Sequence, residues 1–445
     1  MSATAAVWSA LGGMLVLLSA GRSAWAVALY LMTFFAAPQL WWWGDELPLF
    51  RYQFWAGIVL LGAVLLNWPR SGEDTGRRFT LAHVAAVGIV LNATVVHLLL
   101  ASDPVTSGDE YVELLKFILL FFLIWGAVQG RGDYRLVLVA IALGAAYIGY
   151  EVTINERGDF SGSRLEGVGA PGADASNSLA NVMLVALPLI GSLFVNGNIR
   201  ERLLVIFAAP LALNVLLLCN SRGAFLGLIG AGLTFLLIAR GATRKKAVRA
   251  LLLGSVTLYL LLGDPQILDR FSTTFVGSED RDRSAASRIE FWQAGLRMLA
   301  DYPFGAGGDS FKNVHGGRYL GEVTDQDETN RSLHNGYLTE ATGWGIQGLI
   351  LKLLFFGAAI VAALRTSNRC RLEGRLDDAL MGICVLVAAF GFLIHCVFGS
   401  FMASEWGYWL VALLVRYGEV YQVADTSVAT AAPTFPTQRI PEAAA

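Results

Sequence analysis

The sequence predicts an all-α polytopic membrane protein with about 12–13 transmembrane helices, and three observations carry that prediction. The chain has 445 residues, of which 55% are hydrophobic and only 15% charged, with a mean hydropathy of +0.55. Soluble domains carry roughly 25% charged residues, and a chain this apolar cannot hide its side chains in one aqueous core. Apolar runs of near-spanning length recur along the sequence, at about 5–20, 24–43, 53–68, 80–101, 111–128, 135–151, 178–195, 203–219, 223–239, 250–263, 346–364, 379–399 and 403–418. A backbone in lipid must satisfy its own hydrogen bonds, so such runs read as helices. Finally, basic residues alternate between the connections: 17 fall in one set, from Arg22 to Arg375, against 4 in the short loops of the other, Arg51, Arg157, Arg164 and Arg222.

The first run follows MSATAAVWSALGG and has no basic region before it, so it reads as a retained helix and not as a cleaved leader; whether it spans separates twelve helices from thirteen. Basic residues in short loops stay cytoplasmic. The basic-rich connections and the C-terminal tail are therefore expected inside, and the other loops outside. Two outer loops exceed what a connection needs: 152–177, rich in Gly and Ser, and 264–345, which holds much of the polar sequence. Long loops on a rigid scaffold commonly carry function. The expected organisation is ten transmembrane helices over 1–263, a large helical loop over 264–345, three further helices over 346–420, and a disordered cytoplasmic tail, rich in Ala, Thr and Pro, over 421–445. No internal repeat is visible.

A net charge of −2 argues against a nucleic-acid partner. The four cysteines, Cys219, Cys370, Cys384 and Cys396, form no CxxC pair and read as buried small side chains. There is no phosphate-binding glycine loop, no dinucleotide fingerprint and no Gly-x-Ser-x-Gly elbow. Acidic groups at Asp280 and Asp282, or Asp325, Asp327 and Glu328, lack calcium-loop spacing and read as solvated; no metal or cofactor is expected.

Three stretches hold residues suited to chemistry. Asn220-Ser221-Arg222-Gly223 places a guanidinium at the outer end of an apolar run, where it either snorkels to headgroups or grips a phosphate. Ser287 and Glu290 have capping-box spacing, which predicts a helix start and sets Arg288 on its first turn; Ile289, Trp292, Leu296 and Leu299 then share a face suited to a membrane surface, and Pro303 and Gly305 end the helix. Arg331-Ser332-Leu333-His334-Asn335-Gly336-Tyr337-Leu338 precedes the run at 346–364, with His334 as a candidate general base or an interfacial histidine without a role. His83, His97 and His395 sit in apolar runs and read as core histidines, and His315 as a loop residue. Arginines and a histidine at one interface, without a nucleotide motif, suit a lipid-borne diphosphate donor.

These residues resemble the bacterial O-antigen ligase and Wzy-type polymerase superfamily. The resemblance covers about 203–364 and rests on Ser221-Arg222-Gly223, Ser287-Arg288 with Trp292, Tyr302-Pro303-Phe304-Gly305-Ala306-Gly307, His334-Asn335-Gly336-Tyr337-Leu338, Glu340, and Gly345-Ile346-Gln347-Gly348-Leu349. It implies a glycosyltransferase-C-like membrane enzyme of the bacterial inner membrane with a periplasmic active site. The implied reaction moves a glycan from an undecaprenyl-diphosphate carrier to a hydroxyl of lipid A core, another glycan or a protein, without metal and with inversion. It implies His334 as base, Arg222 and Arg288 as the diphosphate grip, and Arg164, Arg331, Asn335, Tyr337 and Glu340 as substrate-binding residues. A polymerase of the same superfamily, or a transporter or flippase for a lipid-linked glycan, is the alternative.

Overall fold

The computed structural model describes residues 1–68, 77–161, 164–262, 279–320 and 332–422. Within them the chain is a bundle of helices with a single two-stranded hairpin. The first six helices are α1 (Ala3–Ser19), α2 (Ala24–Phe35), α3 (Tyr52–Leu66), α4 (Leu81–Leu99), α5 (Pro104–Ala127) and α6 (Arg131–Thr153). The hairpin, β1 (Asp159–Ser161) and β2 (Arg164–Glu166), leads into α7 (Ser176–Asn196), α8 (Ile199–Leu218), α9 (Arg222–Ile238) and α10 (Ala242–Leu262). Then follow α11 (Glu279–Asp301), α12 (Gly316–Leu320), α13 (Gly336–Leu372), α14 (Leu376–His395) and α15 (Glu405–Val420).

Every apolar run anticipated from the sequence coincides with one of these helices. Six of them, α4, α6, α7, α8, α13 and α14, are long and apolar enough to cross a membrane. The outside of the bundle is itself apolar: Leu17, Leu66, Leu91, Leu233 and Ile350 are exposed. Water would penalise that surface at roughly 25 cal/mol per Å², so its solvent is lipid, and the chain is a polytopic membrane protein. The middle is filled by α15, buried almost all round with Trp409, Tyr408 and Tyr417 among the largest enclosed side chains. Next to it α14 packs against α7, α9 and α13.

The direction of the helices separates the charges. Arg22 pairs with Asp133, Arg135 with Glu201, and Arg131 and Arg375 share Asp378 at 3.2 and 3.3 Å. These ion pairs lie at the starts of α6, α8 and α14. The far ends of the same helices lead to Arg164, Arg222 and His395.

Three expectations change. The run at 24–43 stops being helical at Phe35, because Pro38 opens a separate 3-10 turn, Pro38–Leu40. The helix expected to start at Ser287 already begins at Glu279, so Arg288 is not on a first turn and the capping-box spacing of Ser287 and Glu290 falls inside the helix. On the same helix Ile289 and Leu296, of the face expected to suit a membrane surface, are exposed, while Phe291, Ala294 and Met298 form a small core with Ala306, Phe311 and Leu333. Last, α13 starts ten residues before the expected span and is interrupted at Gly345, whose φ is +83°. Asp325, Asp327, Glu328, Arg331 and residues 423–445 of the tail lie outside the described residues. All four cysteines are free and buried.

Candidate functional site

The break in α13 is the first determinant of the site. A helix interrupted at Gly345 frees backbone groups that lipid cannot satisfy. The loop after α11 supplies them: Ala306 N donates to Thr342 O and Gly307 N to Gly343 O, both at 3.0 Å, while Ile346 N donates to Pro303 O at 3.0 Å. The Gln347 amide adds a bond to Phe304 O at 2.9 Å. This interlock needs glycine on both sides. Gly305 has φ +94°, and a Cβ there would fall 2.6 Å from Gly343 O. Two motifs some forty positions apart in sequence, Tyr302–Gly307 and Gly345–Leu349, are therefore one structural joint. The same loop docks on the α4–α5 corner, where Ser102 N donates to Ala306 O at 2.9 Å and His315 Nε2 meets Ser102 Oγ at 2.9 Å.

Ahead of the break, α13 carries Glu340, and beyond it Lys352. The two meet at 3.1 Å with 4% and 1% side-chain exposure, and Lys352 also donates to the Tyr408 hydroxyl. Glu340 is thus committed to a buried ion pair that ties the two halves of α13 to α15. Removing one partner of such a pair leaves an uncompensated charge and costs about 3–5 kcal/mol. Lys352→Met is expected to lower the thermal midpoint of the detergent-solubilised protein markedly, and Glu340→Gln in the same chain to restore much of the loss. An unchanged midpoint in Lys352→Met would remove the pair from the account of stability.

His334 stands immediately before α13. Its φ is +48°, a left-handed conformation that costs a non-glycine residue roughly 1–2 kcal/mol. Both neighbours are fixed. The Leu333 side chain packs over Gly295 of α11, where a Cβ would fall 2.8 Å from Leu333 Cδ2. Asn335 caps α13, accepting from Tyr337 N and Leu338 N at 3.0 and 3.2 Å. Gly336 N donates to Cys396 O at 2.7 Å, and the Tyr337 hydroxyl donates to Leu393 O at 2.8 Å, which seats the start of α13 on the end of α14. Asn335 and Tyr337 therefore hold the His334 backbone between α11 and α14. The His334 side chain is half-exposed, with Ser332 Oγ 3.5 Å from its Nδ1.

Arg164, Arg222 and Arg288 come together at this end of the bundle. Arg222 is the first residue of α9, exposed, behind the Ser221 N-cap, whose hydroxyl accepts from Ala224 N. A cation there opposes the helix dipole. Arg164 is exposed at the start of β2, anchored by the buried Leu165 and by Ser176 donating to Glu166 at 3.2 Å. Arg288 is half-buried on α11. Burial first, and then the like charges of Arg164 and Arg222, hold its pKa below the ordinary guanidinium range. Among the described residues no carboxylate forms a salt bridge with any of the three. Nothing among the described residues neutralises the repulsion that Arg164 and Arg222 exert on Arg288, and an anion with several oxygens relieves it. Among the described residues no group of three His, Cys, Asp or Glu side chains is placed to hold a metal ion.

His395, read from sequence as a core histidine, is indeed buried and hydrogen-bonded. Its ring lies directly under the start of α9, beside Ser221 and Gly223. Nothing in the sequence links it to Arg222, 173 positions away.

Residues 207–353 match a family model described as O-antigen ligase. That stretch runs from α8 into α13 and contains Arg222, Arg288, both halves of the glycine joint and His334; Arg164 and His395 lie outside it. A search of curated proteins finds no match.

Proposed function

We propose, taking as premise that residues 207–353 carry the O-antigen ligase domain, that this membrane protein transfers a glycan from a lipid diphosphate carrier to an acceptor hydroxyl. The observation that carries the reading is the convergence of Arg164, Arg222 and Arg288, without a carboxylate partner among the described residues, at the end of the bundle where the His334 loop is seated. A diphosphate is the anion that such a trio fits. Arginine forks match phosphate oxygens in pairs, and their charge is permanent.

In this reading the donor is an undecaprenyl-diphosphate-linked glycan whose lipid tail lies along the apolar exterior. His334 takes the proton from the incoming acceptor hydroxyl. The hydroxyl oxygen attacks the anomeric carbon on the face opposite the diphosphate, and the bond from that carbon to the phosphate oxygen breaks. The diphosphate leaves with the electron pair, and the charge growing on it is stabilised by Arg222 and Arg288, with Arg164 beside them. Attack from the opposite face inverts the anomeric centre. The energy resides in the donor, so ATP is not needed, and in this reading the arginines take the charge-stabilising role that a metal ion would otherwise fill. The positive-inside distribution supports a periplasmic position for this end of the bundle, at the bacterial inner membrane. Lipid A core, the end of another glycan and a protein hydroxyl are the acceptors this chemistry admits.

The test is direct. Purified protein is incubated in EDTA-containing buffer with a lipid-linked oligosaccharide and a panel of these acceptors, and product mass is read. One mass shift on one acceptor is the expected result. A ladder of masses would make the enzyme a polymerase of the same superfamily, and an intact donor with every acceptor, EDTA present or not, would sink the reading.

A further inference from the structure

The floor of the arginine cluster is a hydrogen-bonded relay whose protonation state follows from its partners. The indole N–H of Trp406, which can only donate, takes Oδ1 of Asn181. The Asn181 carboxamide therefore turns its NH2 group toward His395, whose Nδ1 lies 2.7 Å from it. That nitrogen accepts, so the single proton of the neutral ring sits on Nε2. Nε2 faces Ser221 Oγ at 3.5 Å, and this same oxygen caps α9. A second proton would have to enter at Nδ1 against an N–H donor, on a side chain that is 1% exposed, beside the charge of Arg288.

Packing fixes the ring as tightly. It lies against Phe401 with centroids 4.6 Å apart. A Cβ at Gly223 would fall 2.8 Å from His395 Cδ2 and 3.0 Å from Nε2. The glycine of Ser221-Arg222-Gly223 is thus required by the His395 ring, which presses on the first turn of α9. At Gly227, one turn on, a Cβ would fall 3.1 Å from Gly391 O, so α9 and α14 approach backbone to backbone.

We propose that His395, locked neutral with its proton on Nε2 by Asn181 and Trp406, is the positioning residue of the anion grip: it sets the Ser221 cap and so aims Arg222. The proposal rests on the reading of the arginines as a diphosphate site. A histidine that gained charge here would add a fourth cation to three and push the first turn of α9 away. The lock keeps the grip unchanged as the surrounding pH moves through the range where ordinary histidines titrate.

The experiment measures kcat and KM for the lipid-linked donor between pH 5.5 and 8, with folded protein quantified by thermal midpoint. His395→Ala is expected to raise KM about tenfold, the size of one lost hydrogen bond and its alignment, and to lower kcat as well, since Arg222 also meets the charge that grows on the leaving diphosphate. His395→Gln, whose amide N–H can still reach Ser221, should recover most of the loss. Asn181→Asp replaces the donor at Nδ1 by an acceptor and moves the proton to Nδ1; KM should then vary with pH where the wild-type value is flat, and nitrogen NMR of labelled histidine should show the changed tautomer. Should His395→Ala fail to fold, the pH profile of Asn181→Asp and the NMR tautomer decide. A purely structural role predicts a lower midpoint, an unchanged KM per folded molecule, and no rescue by glutamine; that result overturns the proposal. If Arg222→Ala itself leaves KM unchanged, the grip reading fails first; if Arg222→Ala raises KM and His395→Ala does not, only the positioning role is lost.

Discussion

His334→Ala is expected to abolish glycan transfer while leaving expression, membrane insertion and thermal midpoint close to wild type. Removal of a general base costs about 10²–10⁴-fold in rate. The fold loses little, because the side chain is half-exposed and the neighbouring residues hold the turn: Leu333 against α11, Asn335 as the cap of α13, and Gly336 bonded to Cys396. The left-handed backbone at His334 belongs to the same argument. A residue kept at φ +48° between two fixed elements is held for its direction, since relaxation to an ordinary conformation is available to any flexible loop. Transfer rates measured on purified lipid-linked donor decide the matter; near wild-type turnover by His334→Ala would remove the base from the mechanism.

The second large effect is at Arg288. Arg288→Lys is expected to retain no more than about 1% of kcat/KM, of the order seen when one donor to developing charge is lost. Lysine keeps the positive charge but not the planar fork, and its shorter reach and tighter hydration suit it poorly to a half-buried position on α11. The environment makes the substitution more severe. Burial and the two neighbouring guanidiniums already lower the Arg288 pKa, and an ammonium under the same pressure would surrender its proton much more readily than a guanidinium does. Activity of the lysine variant should therefore fall further as pH rises, whereas wild-type binding through Arg288 should show no such loss. Full turnover by Arg288→Lys across that range would mark this arginine as merely solvated.

Helix type was legible because lipid imposes a single solution on apolar runs: each run holds a helix, and six of these helices are long and apolar enough to cross a membrane. Helix ends were not, since they depend on partners. The start of α11 lies upstream of the Ser287–Glu290 spacing that mimics a cap, and the break in α13 exists only because residues 303–307 fill it. Gly305 and Gly345 did announce themselves as motif residues; what the sequence could not say is that they face each other. Arg222 stood out as a charge at the outer end of an apolar run and does open α9, whereas Arg288 was singled out for a first-turn position that it does not have, since α11 already begins at Glu279. Glu340 stood out equally and has a different explanation, since its counter-charge Lys352 lies beyond the helix break. That pair also weakens the reading as a transporter, because Lys352, one of the few ionisable groups inside an apolar run, is sealed against Glu340 and Tyr408 and opens no route across the bundle. Asn181 and Trp406 are 225 positions apart and gave no signal at all.

The central claim is that Arg164, Arg222 and Arg288 jointly hold a lipid-borne diphosphate. It is tested most directly by binding of undecaprenyl diphosphate, without glycan, to the purified protein and to Arg164→Ala, Arg222→Ala and Arg288→Ala. The account predicts saturable wild-type binding that inorganic pyrophosphate competes away, and a loss of at least about tenfold for Arg222→Ala and Arg288→Ala, each hydrogen bond to a charged group being worth about 1.5–3 kcal/mol. Equal affinity of all four proteins for the carrier would contradict it.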